Sequence, residues 1–438
     1  MKNTVKWIWF AEKCGAGSSE MVKIYEKYGS INAIYLADYN SYIENDVSER
    51  LSEKLADKSL NDAYSIIKYC EDNRVGILTY ACDEYPRSLR SIKDPPAVLY
   101  YLGRLPDLNK NLCIATVGTR KMSEYGMRSA YKIAYEIASS GAIIVSGMAL
   151  GIDSVAASAA LKAGGKTVAV LGSGIDIIYP KEHKKLYREI AKSGVVITEY
   201  PPSTEPSSFN FPMRNRIISG LSQGTVVIDA GEKSGALITS KTAILQGRDV
   251  FAVPSNIDSE NSSGTNSLIR DGAQAVLCGY DIVKNYAYLF RDTINVQRLR
   301  MAEERSELDE KALAYYGVRA RGARPAFEGI SAKLEKERAE ALAEGKPKAV
   351  PALSTNKDTE ATEKRPASDA HVDNSKEILE SLDDYERKIF EEMPLDRAVS
   401  ADYFAANGEN LARAMFALTT LEIKGLVSSL PGALYIRK

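Results

Sequence analysis

The sequence contains only two histidines, His183 and His371, among 438 residues. A Ser-His-Asp triad, a histidine-ligated metal centre and most histidine acid–base chemistry are therefore disfavoured. The five cysteines are scattered without a C-x-x-C pair, which disfavours a disulfide scaffold or a cysteine zinc site and favours a reducing compartment. We accordingly expect a cytoplasmic protein with no metal and no cofactor.

Long apolar runs are also missing. No stretch approaches the ~18 consecutive apolar residues of a membrane span, and the opening MKNTVKWIWFAEK lacks the pattern of a signal peptide. Neither sign of charge dominates, because 57 basic residues face 58 acidic ones. We therefore expect no membrane association, and at roughly 100–200 residues per domain the length predicts two to four domains.

Composition divides the chain into four parts. Residues 1–75 show helical periodicity and few glycines, and residues 76–290 alternate short apolar runs with amphipathic stretches. Residues 291–375 are charged and rich in Ala, Glu and Lys, and we interpret them as a linker that buries too little apolar surface to offset its ordering entropy. Residues 376–438 recover apolar periodicity, which predicts a small separate domain.

The second part is typical of an α/β protein with a doubly wound, mostly parallel sheet. Short β-branched apolar runs separated by helix-length amphipathic segments are the pattern of repeated βαβ units. The predicted strands are Leu112–Val117, Ala142–Val145, Thr167–Leu171, Val195–Ile197, Thr225–Ile228 and Val250–Val253. Ligands of such sheets bind at the carboxyl ends of the strands.

Glycines follow several of these strand ends. Gly118, Thr119 and Arg120 come directly after the first strand, and Gly147 comes after the second. Glycines let backbone N–H groups approach a ligand, and helix N-termini favour anions. The alternative is that any one such turn is purely structural, so the prediction of an anion site depends on several turns meeting at one edge.

Three arginines and one aromatic residue are placed to join this edge. Arg120, Arg214 and Arg216 offer fork-shaped donors for phosphate, and Phe211, in a loop beside two of them, offers a stacking surface for a base. Two other interpretations stay open: Arg120 pairs with a surface carboxylate, or Phe211 closes the core.

The absent motifs narrow the choice of anion. No G-x-G-x-x-G follows the first strand and no G-x-x-x-x-G-K-[ST] loop exists, which disfavours a nicotinamide enzyme and an ATPase. Residues 113–284 carry 18 basic and 15 acidic side chains, and this small excess of positive charge weakly favours a polyanionic ligand. Carboxylates at the expected edge, such as Asp153 and Asp229, have no neighbouring His or Cys, and we interpret them as helix caps or arginine partners.

The motifs of this region resemble those of the DNA-processing protein A family (DprA/Smf). The resemblance is carried by GTR at 118–120, SGMALGID at 146–153, IDIIYP at 175–180, EYPP at 199–202, FPMRNRIISGLS at 211–222, SGALITSKTA at 234–243 and QGRDVFAVP at 246–254. It is dense over roughly residues 75–285. Three positions depart from the family pattern, Ala157, Ser255 and Asp229, and none of them lies in the GTR or RNR motif.

The resemblance implies an extended Rossmann-like core that binds single-stranded DNA without sequence preference and without catalysis. It further implies protection of incoming DNA and loading of RecA recombinase during natural transformation, by a homodimer formed through the Gly264–Val276 region. The residues that it implies in DNA binding are Gly118, Thr119, Arg120, Gly147, Lys181, Phe211, Arg214, Asn215 and Arg216.

The flanking parts also carry recognisable patterns. The turn Gly15–Ser18 resembles a helix-hairpin-helix connection, and the family often has a sterile-alpha-motif-like (SAM-like) helical domain at this end. Three predicted helices and a ribbon around Pro431-Gly432 predict a winged-helix domain at the other end. From Lys376 onward it carries 8 basic and 11 acidic residues, so we favour a protein-interaction role over duplex binding.

Two rival functions stay open from the sequence. Related Rossmann-type enzymes of the lysine-decarboxylase-like group cleave nucleoside monophosphates, and Asp229-Ala230-Gly231-Glu232 occupies a comparable strand end, although the Gly-Gly-x-Gly-Thr loop of that group is missing. A scaffold for recombination proteins would bind partners without binding oligonucleotides.

Overall fold

Nine strands of the described residues pair into one sheet. The structure is a computed structural model that describes residues 2–303, 305–318, 382–394, 398–406, 411–424, 426–430 and 434–437. The strands are β1 (Gly76–Thr79), β2 (Val98–Gly103), β3 (Cys113–Gly118), β4 (Ile143–Ser146), β5 (Thr167–Val170), β6 (Val195–Thr198), β7 (Gly224–Ile228), β8 (Asp249–Ala252) and β9 (Gln274–Ala275).

The spatial order of the sheet is β1-β2-β6-β5-β4-β3-β7-β8-β9. Strands β3 to β9 are parallel, whereas β2 runs antiparallel to both β1 and β6. The chain moves outward from β3 to β6 and then returns to place β7 on the other side of β3. The sheet is therefore doubly wound, with its switch point between β3 and β7.

All six strands predicted from apolar runs form, each within one residue of its expected bounds. Successive residues of a strand point to opposite faces of the sheet. These strands are buried on both sides because helices cover each face. Ile114 of β3 belongs to the apolar cluster on one face of the sheet, while Cys113 and Ala115 belong to the cluster on the other face. The prediction of an α/β fold with a mostly parallel sheet is confirmed.

Helices cover both faces and both ends of the sheet. They are α1 (Lys2–Cys14), α2 (Glu20–Tyr28), α3 (Ile31–Leu36), α4 (Tyr39–Glu44), α5 (Glu49–Ala56), α6 (Asn61–Asp72), α7 (Arg87–Arg90), α8 (Glu124–Ser139), α9 (Ile152–Lys162), α10 (Lys184–Ser193), α11 (Asn210–Leu221), α12 (Ala236–Leu245), α13 (Ser263–Arg270), α14 (Gly279–Val283), α15 (Val296–Glu303) and α16 (Glu310–Tyr315), with a 3₁₀ turn at Lys181–His183. Among the described helices, none combines the length and apolarity needed to cross a bilayer.

The helices before residue 75 pack around a buried aromatic cluster. Trp9, Phe10 and Tyr42 are buried there together with Val98 and Tyr100 of β2, so this region rests directly on the edge of the sheet. The sequence predicts one helix over residues 46–70, whereas the structure divides this segment into α5 and α6. The similarity of residues 1–75 to a SAM-like domain stays a prediction.

The linker predicted from residue 291 begins too early. α15 and α16 pack on the α8 side of the sheet, where Leu299 and Leu313 join the core. The buried Glu136 carboxylate accepts hydrogen bonds from the Gly279 N–H, at 2.6 Å, and from the Ser306 hydroxyl, at 3.2 Å, which ties the start of this segment to α8. A few apolar residues are therefore enough to pack the otherwise charged α15–α16 segment against the core. Residues 319–375 of the predicted linker lie outside the described residues.

The carboxyl-terminal part forms helices and a small sheet. Its elements are α17 (Asp384–Glu392), β10 (Val399–Ser400), α18 (Ala401–Ala406), α19 (Leu411–Ile423), β11 (Val427–Leu430) and β12 (Leu434–Arg437), with sheet order β10-β12-β11. Asp383 caps α17 by accepting hydrogen bonds from the N–H groups of Tyr385 and Glu386. The sequence predicts helices over 383–392, 400–406 and 410–424, and the three helices of the structure lie within one residue of these bounds. The winged-helix classification stays a prediction.

We predict that Leu299→Ala destabilises the protein more than Met301→Ala. Both residues lie on α15, but Leu299 is 3% exposed and Met301 is 63% exposed. Removing the buried side chain should lower the free energy of unfolding by about 2–5 kcal/mol, whereas the exposed one should change it by about 0.5 kcal/mol or less. Urea denaturation of the two variants measures the difference, and equal values would show that α15 is not docked.

Candidate nucleic-acid interface

A cleft of about 320 Å³ opens at the switch point of the sheet. Its walls are residues 117–121, which form the end of β3 and the turn after it, residues of α11 between 211 and 218, and residues between 233 and 239, which lead from β7 into α12. Ala149 and Asp153, after β4, also line it. The turns that the sequence places at one edge therefore do meet around a common space.

The GTR motif forms the first wall. A side chain at Gly118 would collide with the carbonyl of Ile228 and with Ile152, so glycine allows β3 to end between β7 and α9. The Thr119 N–H donates to the Asp229 carbonyl, at 2.9 Å, and is thus not available to a ligand. Gly118 and Thr119 hold the turn in place, and the side chain that the turn presents to solvent is that of Arg120.

The sequence predicts a loop at Phe211, whereas the structure places it in the first turn of α11. It is partly exposed and lines the cleft. The centre of its ring is 5.3 Å from the Arg120 guanidinium carbon and 5.3 Å from the Tyr179 ring centre. The ring packs over Gly172, where a Cβ would come within 2.7 Å of it. Phe211 is therefore a wall of the cleft, with a cation on its face.

Arg214 forms the floor of the cleft. Its guanidinium Nη1 donates to the carbonyls of Gly147, at 2.7 Å, and of Val170, and its Nε donates to Asn215 at 3.2 Å. Burial lowers the pKa of Arg214 to about 10, so it stays charged at neutral pH. Arg214 thus places a positive charge at the floor of the cleft, while its Nε and Nη1 groups already donate to acceptors of the protein.

Gly147, which the resemblance implies in DNA binding, does not line the cleft. It is buried, and its N–H donates to the Asp153 carboxylate at 3.0 Å while its carbonyl accepts from Arg214. Asp153 lies in the first turn of α9, as expected. Burial raises the pKa of Asp153, and the charge of Arg214 acts against that rise. Gly147 therefore belongs to the support of the cleft floor.

The prediction that Arg216 lines the cleft is wrong. Its side chain is 4% exposed and forms ion pairs with Glu199, at 2.6 Å, and with Asp94, at 3.2 Å. Successive residues of an α-helix are about 100° apart, so the residues of α11 at i, i+3, i+4 and i+7 (211, 214, 215 and 218) line the cleft together. Arg216 lies two residues from Arg214, on the opposite side of the helix.

Asn215 lines the cleft as predicted, whereas Lys181 does not. Lys181 is exposed in the 3₁₀ turn that follows Tyr179 and is not among the residues that line the cleft. Two lysines that the sequence analysis did not select, Lys121 and Lys233, are exposed at the cleft and make no ion pair within the described residues. Lys121 follows the end of β3 by three residues and Lys233 the end of β7 by five. This position is a weak signal in the sequence, because only the strand order brings the two turns together.

Asp229 organises the rim. Its carboxylate accepts hydrogen bonds from the N–H and hydroxyl of Ser123, at 2.5 and 3.1 Å, and from the Asn261 amide, at 3.3 Å. Its φ of 55° lies in the left-handed region, which Asp tolerates better than most residues. The carboxylate at this strand end thus fixes the start of α8. Among the described residues, no three His, Cys, Asp or Glu side chains gather as metal ligands would.

Comparison with known proteins agrees with this architecture. A family model described as DNA recombination-mediator protein A matches residues 76–287. The DNA processing protein DprA of Bacillus subtilis (strain 168) is 43% identical over 208 residues, which are 48% of this chain and 70% of that protein. The chain belongs to this family, DprA/Smf. The resemblance seen in the sequence is confirmed.

Another DprA/Smf relative, DprA of Streptococcus pneumoniae (strain R6), is 44% identical over 206 residues, which are 47% of this chain and 72% of that protein. The X-ray structure of DprA from Streptococcus pneumoniae superposes with a TM-score of 0.58 and 35% sequence identity, covering 65% of this chain and 98% of that chain. The matched family region contains the whole cleft, so the DprA/Smf core and the candidate interface coincide.

We predict that Asp229→Ala lowers the free energy of unfolding by about 1–3 kcal/mol, because it leaves the Ser123 N–H at the start of α8 without its acceptor. Asp229→Asn is the matched control: it keeps one acceptor oxygen and a residue type that tolerates positive φ, so it should cost less. Urea denaturation compares the two variants. An alanine variant as stable as the asparagine variant would contradict this role.

Proposed function

We propose that this DprA/Smf protein binds single-stranded DNA in the cleft between β3 and β7, without sequence preference. The observation that carries the proposal is the Arg120 guanidinium held 5.3 Å from the ring centre of Phe211 at an open cleft. A cation for phosphate and an aromatic face for a base thus stand side by side. Names of the relatives refer to DNA processing, which agrees with the proposal.

Electrostatics supports a polyanion as the ligand. Arg120, Lys121, Lys233 and the deeper Arg214 surround the cleft, against the single lining carboxylate of Asp153 among the described residues. Neutralising phosphates releases counterions, which makes such binding strong at low salt and independent of base identity.

The geometry favours a single strand over a duplex. Bases of a duplex are stacked on one another, whereas an unpaired base turns outward and stacks on an aromatic ring. Phe211 lies in the wall of the cleft and not on a convex surface, so only an unstacked base reaches it. Every base has a π face, which explains why no particular sequence is required.

We further propose, from the family resemblance, that the protein protects DNA taken up in natural transformation and assists loading of RecA recombinase, as a homodimer. The Gly264–Val276 region expected in the dimer is followed by Leu277, which is 70% exposed. Strand exchange by RecA on coated single strands, with and without this protein, tests the delivery step. Unchanged exchange rates would remove it from the proposal.

The role proposed is binding and not catalysis. The nucleotide-cleaving alternative depends on the segment from Asp229 to Glu232, which lacks the Gly-Gly-x-Gly-Thr loop and in which the Asp229 carboxylate is held by Ser123 and Asn261. Incubation with nucleoside monophosphates discriminates the two functions, because a hydrolase would release free base.

We predict that Arg120→Ala weakens binding of a single-stranded oligonucleotide and reduces the slope of log K against log salt by about 0.7, the value for one lost phosphate contact. Arg128→Ala, which removes an exposed arginine on α8 paired with Glu124, is the control and should change neither. Fluorescence anisotropy at several salt concentrations gives both quantities. An unchanged affinity for Arg120→Ala would remove the proposed site.

We predict that Phe211→Ala weakens the same binding by about 1–3 kcal/mol, roughly 5- to 150-fold, through loss of base stacking. The salt slope should stay unchanged, because no charge is removed. Phe211→Tyr retains an aromatic face and should bind like the parent protein. If alanine binds as well as tyrosine at this position, the ring does not contact a base.

A further inference from the structure

A buried triad of charges lies behind the cleft helix. Arg216 of α11 is held between Glu199, which directly follows β6, and Asp94, in the segment before β2, at N–O distances of 2.6 and 3.2 Å. The Arg216 and Glu199 side chains are each 4% exposed. None of the three lines the cleft, so a ligand in the cleft does not contact them.

The triad fixes the back of a helix whose front is the binding wall. Arg216 faces away from the cleft, whereas Phe211 and Arg214 of the same helix face into it. The Arg216 carbonyl also accepts a hydrogen bond from the Gln246 side chain, at 3.0 Å, at the end of α12. Carboxylates from two other segments hold the guanidinium, Glu199 at Nη2 and Asp94 at Nε, and thereby restrict the rotation of α11 about its axis.

The triad also reaches the amino-terminal helices. Glu199 lines a small cavity of about 30 Å³ together with Gly15, Gly17 and Met21 and with Pro95, the neighbour of Asp94. Burial raises the pKa of Glu199, and both Arg216 and the backbone N–H of Gly17 act against that rise. The Gly15–Ser18 turn, which by sequence resembles a DNA-binding connection, thus faces a carboxylate of the protein itself.

We propose that Arg216 is a positioning residue for single-stranded DNA, and that Glu199 couples the turn between α1 and α2 to the binding face of α11. DNA affinity then depends on residues that never touch DNA. The inference rests on the proposed function, because it concerns how the same cleft is kept competent. It also explains why the family-type RNR motif carries two arginines with different surroundings.

The test is a comparison of Glu199→Gln and Arg216→Lys with Arg120→Ala in the full-length protein. Glu199→Gln removes the charge but retains the shape, and Arg216→Lys retains the charge but removes the fork. We expect each to weaken oligonucleotide binding by about threefold or more, and by no more than the roughly 150-fold that complete loss of stacking on Phe211 would cause. The salt slope should equal that of the parent protein, because no phosphate contact is lost.

Two further measurements isolate the positioning role. Combined with Phe211→Ala, either triad variant should add little further loss, since both act on the same contact. Hydrogen exchange at residues 15–18 should become faster in Glu199→Gln and stay unchanged in Arg120→Ala. Glu189→Gln, which breaks an exposed pair with Lys192 at 2.7 Å, is the matched control for loss of a glutamate charge.

Binding is measured well below the unfolding temperature, and the folded fraction is verified by circular dichroism. If Arg216→Lys does not fold, Glu199→Gln and Asp94→Asn decide. Parental affinity in folded triad variants overturns the inference, and so does a reduced salt slope, which would make Arg216 a direct phosphate contact. If Arg120→Ala also binds normally, the proposed function itself fails, so the two failures are distinguishable.

Discussion

The return of the chain from β6 to β7 beside β3 is the constraint on which the candidate site depends. At that switch point the connections of β3 and β7 diverge to opposite sides of the sheet, so a crevice opens between them. Polar groups left at strand ends and helix starts are then concentrated at one edge. The GTR turn, α11 and the start of α12 meet there because of the strand order, although they are distant in the sequence.

Within this frame, helical periodicity divides the chemistry of the RNR motif. Arg214 lies on the cleft side, over backbone carbonyls of β5 and of the turn after β4, and Arg216 lies on the buried side, between two carboxylates. Burying an arginine requires that its donors be matched. Backbone carbonyls accept hydrogen bonds from Arg214. The carboxylates of Glu199 and Asp94 balance the charge of Arg216, although its Nε and Nη1 have no hydrogen-bond acceptor within the described residues. The exposed Arg120 is left to face a ligand.

Much of the core could be predicted from sequence because its strands are buried on both faces and appear as continuous apolar runs. The edge strands β1 and β9 are too short for such a run, and β2 runs antiparallel to its neighbours outside the βαβ repeats, so the βαβ pattern predicts none of the three. The sequence does not predict that α15 and α16 pack against the core, for a related reason. Leu299 and Leu313 stand among charged residues, and only contact with α8 and its neighbours shows that they are buried.

The amino-acid sequence by itself determined the fold class, six of the nine strands of the main sheet, the family and the edge where Arg120, Phe211 and Asn215 meet. Only the tertiary structure decided that Arg216 and Gly147 are supports and that Lys121 and Lys233 belong to the cleft. Strand runs and glycine turns are local patterns, so they can be recognised along the chain. Which side of α11 is buried depends on Asp94 and Glu199, which come from other segments of the chain, and no local pattern records that contact.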